Sequence, residues 1–264
     1  MREPHLSEFK ELVRRGAGTL DIHDASSDSS YTVSIEAYDA LVQREVGRVD
    51  LHLRSLVPLL EAHVGHAARI LDVGCSTGGT AVAMALSDKL AAEHIIGVDP
   101  NEASLEAARV RARMHEVDDR VAFETTRAGA PLPFDDGAFD LVICVSVLEY
   151  VHRLDDRRAL VDEMKRVTRP GGHILLITPS PFRLRDYHTK RVLGDLRRRD
   201  GYPWSSTPGQ LASMLSGCEI TWMRAWQLGH GLRKLGVPID EVPERFGFLG
   251  MALPWQKVLA RKPS

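Results

Sequence analysis

From Arg69 onward the chain alternates short apolar runs with longer stretches in which apolar residues recur every three or four positions. The short runs predict strands near 69–73, 94–99, 120–124, 139–145, 172–178, 218–224 and 255–261, and the longer stretches predict helices near 78–88, 101–115, 155–168 and 208–216. Regular alternation of this kind predicts an α/β fold with a parallel sheet, helices on both faces and right-handed crossovers. Two boundaries carry their own signals. Arg166-Val167-Thr168-Arg169-Pro170-Gly171-Gly172 ends a helix, because proline cannot donate and glycine accepts a positive φ. Thr207-Pro208-Gly209-Gln210 fits a capping box with proline in the first helical position, and Gly217 closes that helix. Upstream, the pattern predicts a helix from Glu8 to Arg15, a serine-rich loop at Ser26-Ser27-Asp28-Ser29-Ser30 and a longer helical stretch from about Ser34 to Val64.

The most informative segment joins the first strand to its helix: Asp72-Val73-Gly74-Cys75-Ser76-Thr77-Gly78. A strand, a glycine turn and a helix make a ligand site, since glycine turns tightly and lets backbone N–H groups approach a bound molecule. The dinucleotide fingerprint requires G-x-G-x-x-G, but the residue two after Gly74 is Ser76. That spacing argues against a nicotinamide or flavin enzyme. A second carboxylate closes the next strand, where His94-Ile95-Ile96-Gly97-Val98-Asp99 places Asp99 25 residues after Gly74, and Pro100-Asn101-Glu102 opens the following helix. A carboxylate in that position suits the ribose hydroxyls of an adenosine cofactor on a doubly wound sheet.

These residues resemble motif I and the second acidic motif of the class I S-adenosylmethionine-dependent methyltransferases, small-molecule type. The resemblance continues through Pro131-Leu132-Pro133-Phe134-Asp135-Asp136-Gly137-Ala138-Phe139-Asp140 and the Pro170-Gly171-Gly172 stop, and covers roughly residues 69 to 180. It implies a Rossmann-like, doubly wound, seven-stranded, mostly parallel sheet with an antiparallel last strand, for which Trp255–Arg261 is the candidate, plus an N-terminal helical lid. It implies S-adenosyl-L-methionine as cofactor, held by Asp72, Gly74, Cys75, Ser76, Gly78, Asp99, Pro100 and Asn101, with Val145 and Ser146 at the end of the fourth strand. In this reading Asp99 binds the ribose, and Pro100 and Asn101 flank the adenine. One departure stands out: where relatives carry an acidic adenine ligand about four residues before the Leu-Pro-Phe run, this chain has Ala128 after Arg127.

Three additions surround that core, giving an expected division into a lid, 1–66, and a core, 67–264, with insertions at about 181–207 and 225–253. Tyr31 and Tyr38 in the lid either shield a sulfonium through cation–π contact or pack the lid on the sheet. The first insertion holds Arg183, Arg185, Lys190, Arg191, Arg197, Arg198 and Arg199 against Asp186, Asp195 and Asp200. Such a cluster suits bidentate recognition of an anionic acceptor, or forms a solvated helix face. The second insertion, rich in glycine and carrying His230 and Arg233, is expected to wall the acceptor pocket.

Composition narrows the partners. A net charge of −2 on 264 residues gives no general attraction to nucleic acid or anionic membranes. No apolar run approaches the ~20 residues that span a bilayer, and Met1-Arg2-Glu3-Pro4-His5 opens no signal peptide. A cytoplasmic protein, with a homodimer allowed, is expected. Cys75, Cys144 and Cys218 show neither zinc nor disulfide spacing, and Cys75 is expected to be a small buried residue rather than a nucleophile.

Methyl transfer from a sulfonium needs collinear placement above all, with a base only for a hydroxyl or protonated amine acceptor. In Ser146-Val147-Leu148-Glu149-Tyr150-Val151-His152, after the fourth strand, His152 is the candidate base and Glu149 its orienting group. His188 is a further candidate, and His230 shares the substrate side with Tyr31, Tyr38, Arg183 and Arg185. His173 is expected to be structural, at the opposite edge of the sheet. Cys144-Val145-Ser146 lacks the carboxylates of a magnesium site, so no metal is expected. The expected activity is methylation of a small molecule, at oxygen, in natural-product or sugar biosynthesis. An RNA or protein methyltransferase, and a protein that binds the cofactor without transferring methyl, stay open as alternatives.

Overall fold

The computed structural model describes residues 3–19, 42–182, 205–234, 237, 242 and 253–264. The chain falls into two compact units, one up to Pro133 and one from Phe134.

In the first unit β1 (Arg69–Val73), β2 (His94–Asp99) and β3 (Val121–Thr125) pair in parallel, with Asp72 beside Gly97 and Asp99 beside Thr125. β1 is buried along four of its five residues, the continuous apolar run expected of a strand covered on both faces. The connecting helices are α4 (Gly79–Ala85) and α5 (Glu102–Met114). Every residue of α4 is buried, and six of its seven are Gly, Thr, Ala or Val, small enough for the helix to lie close to its neighbours. α5 is started by Asn101, whose side chain accepts the Ser104 N–H at 3.1 Å, and finished by Arg111 and Arg113, the charge arrangement that suits the helix dipole.

The amino-terminal segment belongs to this unit. α1 (Glu3–Thr19) lays Phe9, Leu12 and Val13 against Ala107, Val110 and Met114 of α5, with Val42 completing the cluster. Residues 42–46 are helical, and α2 (Arg48–Ser55) and α3 (Val57–His63) follow, with i→i−4 bonds carried on through Gly47 and Leu56, so the described part of the helical stretch expected over 34–64 is helical. α2 packs on α4.

In the second unit β4 (Phe139–Val145) pairs in parallel with β5 (Thr168–Pro179), and β7 (Trp255–Arg261) pairs antiparallel with both β5 and β6 (Glu219–Trp222). Between them lie a 3₁₀ turn (Leu148–Tyr150), α6 (Leu154–Val167), α7 (Pro208–Met214) and α8 (Arg224–Lys234). The Thr207 capping box forms in both directions: Thr207 Oγ1 accepts the Gln210 N–H and Gln210 Oε1 accepts the Thr207 N–H. The seven strands run in the order β3-β2-β1-β4-β5-β7-β6, a mixed Rossmann-like sheet whose last strand is antiparallel, as expected.

Three elements differ from expectation. β5 begins at Thr168 and runs through Pro170-Gly171-Gly172 instead of starting after it, because Thr168 already pairs with Phe139 and the Gly171 N–H donates to the Lys262 carbonyl. His173 therefore lies inside a strand flanked by β4 and β7, and not at an edge. The stretch 225–253, for which no helix was expected, opens within α8; the Met223 carbonyl accepts the Gln227 N–H and starts the helical ladder.

Candidate functional site

The turn after β1 is built on three positive φ values, +73° at Gly74, +49° at Ser76 and +73° at Gly78. A Cβ at Gly78 would lie 2.7 Å from Phe123 Cζ, and one at Gly97 would lie 2.8 Å from Cys75 Sγ, so both glycines are required by close approach. The turn's amides are used inside the protein. Gly74 and Cys75 donate to the Val98 carbonyl, Gly78 donates to the Cys75 carbonyl, and Ser76 donates to Asp99 Oδ2 at 2.9 Å. Four of the N–H groups expected to face a ligand, those of Gly74, Cys75, Ser76 and Gly78, thus donate within the protein.

Two carboxylates flank the turn. Asp99, at the end of β2, accepts the Ser76 N–H on one oxygen and the Asn101 N–H on the other, each at 2.9 Å. Burial raises its pKa above the ordinary carboxylate value, partly offset by these two bonds. Asp72, on β1, is fully buried and accepts the Ala81 N–H, while its Oδ2 has no hydrogen-bond partner among the described residues. Burial, and then the nearby charge of Asp99, push its pKa up to about 7. The Cys75 thiol is held far above its ordinary value by burial and by the same two carboxylates, which makes it a small core residue and no nucleophile. Asn101 spends its side-chain oxygen on the cap of α5.

A second set of side chains, unmarked by any local pattern, holds the turn from outside. Glu45 is buried, and its Oε2 accepts from Thr77 Oγ1 at 2.6 Å. Its Oε1 accepts from Arg48 Nε at 3.0 Å and also from Arg48 Nη2. Arg111 Nη2 donates to the Glu45 carbonyl and stands 3.7 Å from its carboxylate. Burial raises the Glu45 pKa, but the charge and hydrogen bonds of Arg48, the charge of Arg111 and the Thr77 hydroxyl outweigh it, leaving the group below its ordinary value. Nothing in the local pattern marks Glu45, which lies 32 positions from its partner Thr77.

In the second unit, Ser146 follows β4 with φ +59° and donates its N–H to the Ile177 carbonyl at 2.8 Å. Glu149 is completely buried and its Oε2 accepts from Thr178 Oγ1 at 3.4 Å. His152 is exposed, and its carbonyl accepts from Arg157 Nη2 at 3.4 Å. His230 lies on α8, stacked on Trp226 with ring centroids 4.9 Å apart. Tyr31, Tyr38, Arg183, Arg185 and His188 lie outside the described residues. Among the described residues no group of three or more His, Cys, Asp or Glu side chains is placed to hold a metal ion.

Residues 71–176, which contain both carboxylates and the whole turn, match the family model described as Methyltransferase domain. This segment matches the methyltransferase domain family. The chain is 34% identical over 146 residues to 27-O-demethylrifamycin SV methyltransferase of Amycolatopsis mediterranei, a match covering 54% of this chain and 49% of that protein. It is 28% identical over 157 residues to norajmaline N-methyltransferase of Rauvolfia serpentina, covering 60% and 50%. The chain thus spans about half the length of these curated relatives. Geranyl diphosphate C-methyltransferase of Streptomyces coelicolor, solved with Mg²⁺, geranyl diphosphate and S-adenosyl-L-homocysteine, superposes over the full length of both chains with a TM-score of 0.53 at 17% identity, a likeness of fold. The matched segment keeps the order strand, glycine turn, helix, strand, carboxylate. Among the described residues, no helix is long and apolar enough to cross a membrane.

Proposed function

We propose that the protein is an S-adenosylmethionine-dependent methyltransferase acting on a small-molecule acceptor. The observation that carries the reading is the buried Asp72 and the half-buried Asp99 flanking a turn with three positive φ values, with Asp72 Oδ2 a buried acceptor that has no donor among the described residues. A buried acceptor without a partner costs about 1–3 kcal/mol, and a ligand donor at the turn would relieve that cost. The residues fit the cofactor that the domain's relatives use: Asp99, fixed by two amides, would hold the ribose hydroxyls, and Asp72 would take a donor from the amino-acid end. When bound, the cofactor supplies an electrophilic methyl group on a sulfonium.

The chain's own residues then have limited chemistry to do. The turn and Asp99 orient, and a single base removes the acceptor's proton as the new bond forms. His152 fills that role in our reading because it is exposed, lies just beyond the 3₁₀ turn that follows β4 and carries an imidazole that can accept a proton. Oxygen is the favoured acceptor atom, which the name of the 34% identical relative supports, and a small acceptor is supported by both curated relatives. An anionic acceptor, recognised by Arg183 and Arg185, and a homodimer belong to the same proposal.

Calorimetric titration with S-adenosyl-L-homocysteine tests the reading directly. Saturable binding is expected, weakened at least tenfold by Asp99→Ala, with no comparable binding of NADH; a folded protein that ignores the ligand would sink the proposal. In turnover assays His152→Ala should lower kcat about 10²–10⁴-fold, the usual contribution of a general base, with little change in cofactor affinity. Normal turnover in that variant would remove His152 from the mechanism.

A further inference from the structure

Thr77 is the residue of the turn that reaches outward, toward an element that precedes the methyltransferase domain. It sits between two positive-φ positions, Ser76 and Gly78, and its hydroxyl is bound by Glu45 at 2.6 Å. Its neighbour Ser76 supplies the N–H that holds Asp99 Oδ2. The contacts therefore form one chain: Arg48 and Arg111 fix the Glu45 carboxylate, Glu45 fixes Thr77, and the turn containing Thr77 fixes one oxygen of Asp99.

The links are strong by their chemistry. Glu45 is buried and held in its charged form by two guanidinium groups, so its bond to Thr77 is charge-assisted in a site shielded from water. Gly79, the first residue of α4, faces the same two arginines: a Cβ there would lie 2.6 Å from Arg48 Cδ and 2.7 Å from Arg111 Nη1. Arg111 is itself buried and stacks over Phe9 of α1 at 4.5 Å. The anchor is thus set in the packing between the amino-terminal segment and α5.

We infer that Glu45 is a positioning residue for the cofactor turn, acting through Thr77 to hold the turn and Asp99 in the binding-competent arrangement. The inference deepens the proposed function and rests on it for the identity of the ligand. It makes cofactor affinity depend on a side chain 26 positions before the family match begins at residue 71.

The test uses Thr77→Val, which removes the hydroxyl and keeps the shape, and Thr77→Ser, which restores the hydroxyl. Two readouts are taken: backbone amide exchange across residues 74–78 without ligand, and S-adenosyl-L-homocysteine affinity. Thr77→Val is expected to speed exchange in the turn while β1 and α5 keep their protection, and to weaken binding about tenfold, the loss of one charge-assisted hydrogen bond. Thr77→Ser is expected to restore both. Glu45→Gln in the Thr77→Val background is expected to change affinity by less than twofold further, because the two residues act as one unit. Unchanged turn exchange in Thr77→Val overturns the inference whether or not the ligand binds. Loss of ligand binding by the wild-type protein, with the exchange effect intact, overturns the proposed cofactor and leaves the anchor standing. Loss of protection spread evenly over the first unit would show Glu45 to be a general structural residue and would also overturn it.

Discussion

At Asp72 burial and a second carboxylate act in the same direction, and the result is a proton held near neutrality. Between the ordinary value of 3.8 and about 7 the folded chain keeps a proton that the unfolded chain has released. Raising the pH through that window therefore destabilises the ligand-free protein, by up to roughly 4 kcal/mol at about 1.4 kcal/mol per unit. Denaturant unfolding at pH 4.5 and 7.5 should show this fall, and Asp72→Asn should flatten it; an equal slope in both proteins would assign the proton elsewhere. The motif at Asp72, Gly74 and Gly78 was legible because backbone geometry demands those residue types at those spacings. The turn's amides misled because sequence spacing does not say which acceptor an N–H finds, and here Val98, Cys75 and Asp99 supply it from within the protein. Glu45 was invisible for a related reason: its role comes from a contact between segments that only folding brings together.

Elements were legible where a local device fixes them. The capping box at Thr207 and the Asn101 cap act over three residues, so the sequence holds all of the information. Thr207→Ala should cost about 1 kcal/mol in denaturant unfolding, the usual value of a lost cap; a change below a few tenths would show that packing alone holds α7. Elements were misjudged where distant pairing overrides local preference. The helix does stop at Val167, ahead of the proline and two glycines, yet β5 already runs through them, and Lys262 donates through its Nζ to the Lys165 and Thr168 carbonyls at that junction. The glycines of α8 are a similar case. They lower helix propensity by about 1 kcal/mol each, but Gly229 is buried and the helix also carries the stacked Trp226–His230 pair.

At the scale of the molecule, the seven-stranded, mostly parallel sheet with its antiparallel last strand was legible from alternation together with the family resemblance, whereas the place of the amino-terminal helix was not. α1 is amphipathic, and an apolar stripe does not name its partner; the structure puts it on α5. Phe9 is fully buried there, so Phe9→Ala should lower the stability of the first unit by about 3–5 kcal/mol in urea titration, and a loss below 1 kcal/mol would show that α1 is dispensable to that core. The order of the sheet has one further consequence, for synthesis on the ribosome. Among the described residues β6 pairs with β7 alone, and β7 lies between β5 and β6 although it is the last of the three to be made. β1, β2 and β3, by contrast, lie side by side in the order in which they emerge. The first unit can therefore assemble its strands as translation proceeds, while in the second the nascent chain must keep the β5 edge unpaired until residue 261 has left the exit tunnel. That waiting edge is where a holding chaperone would act.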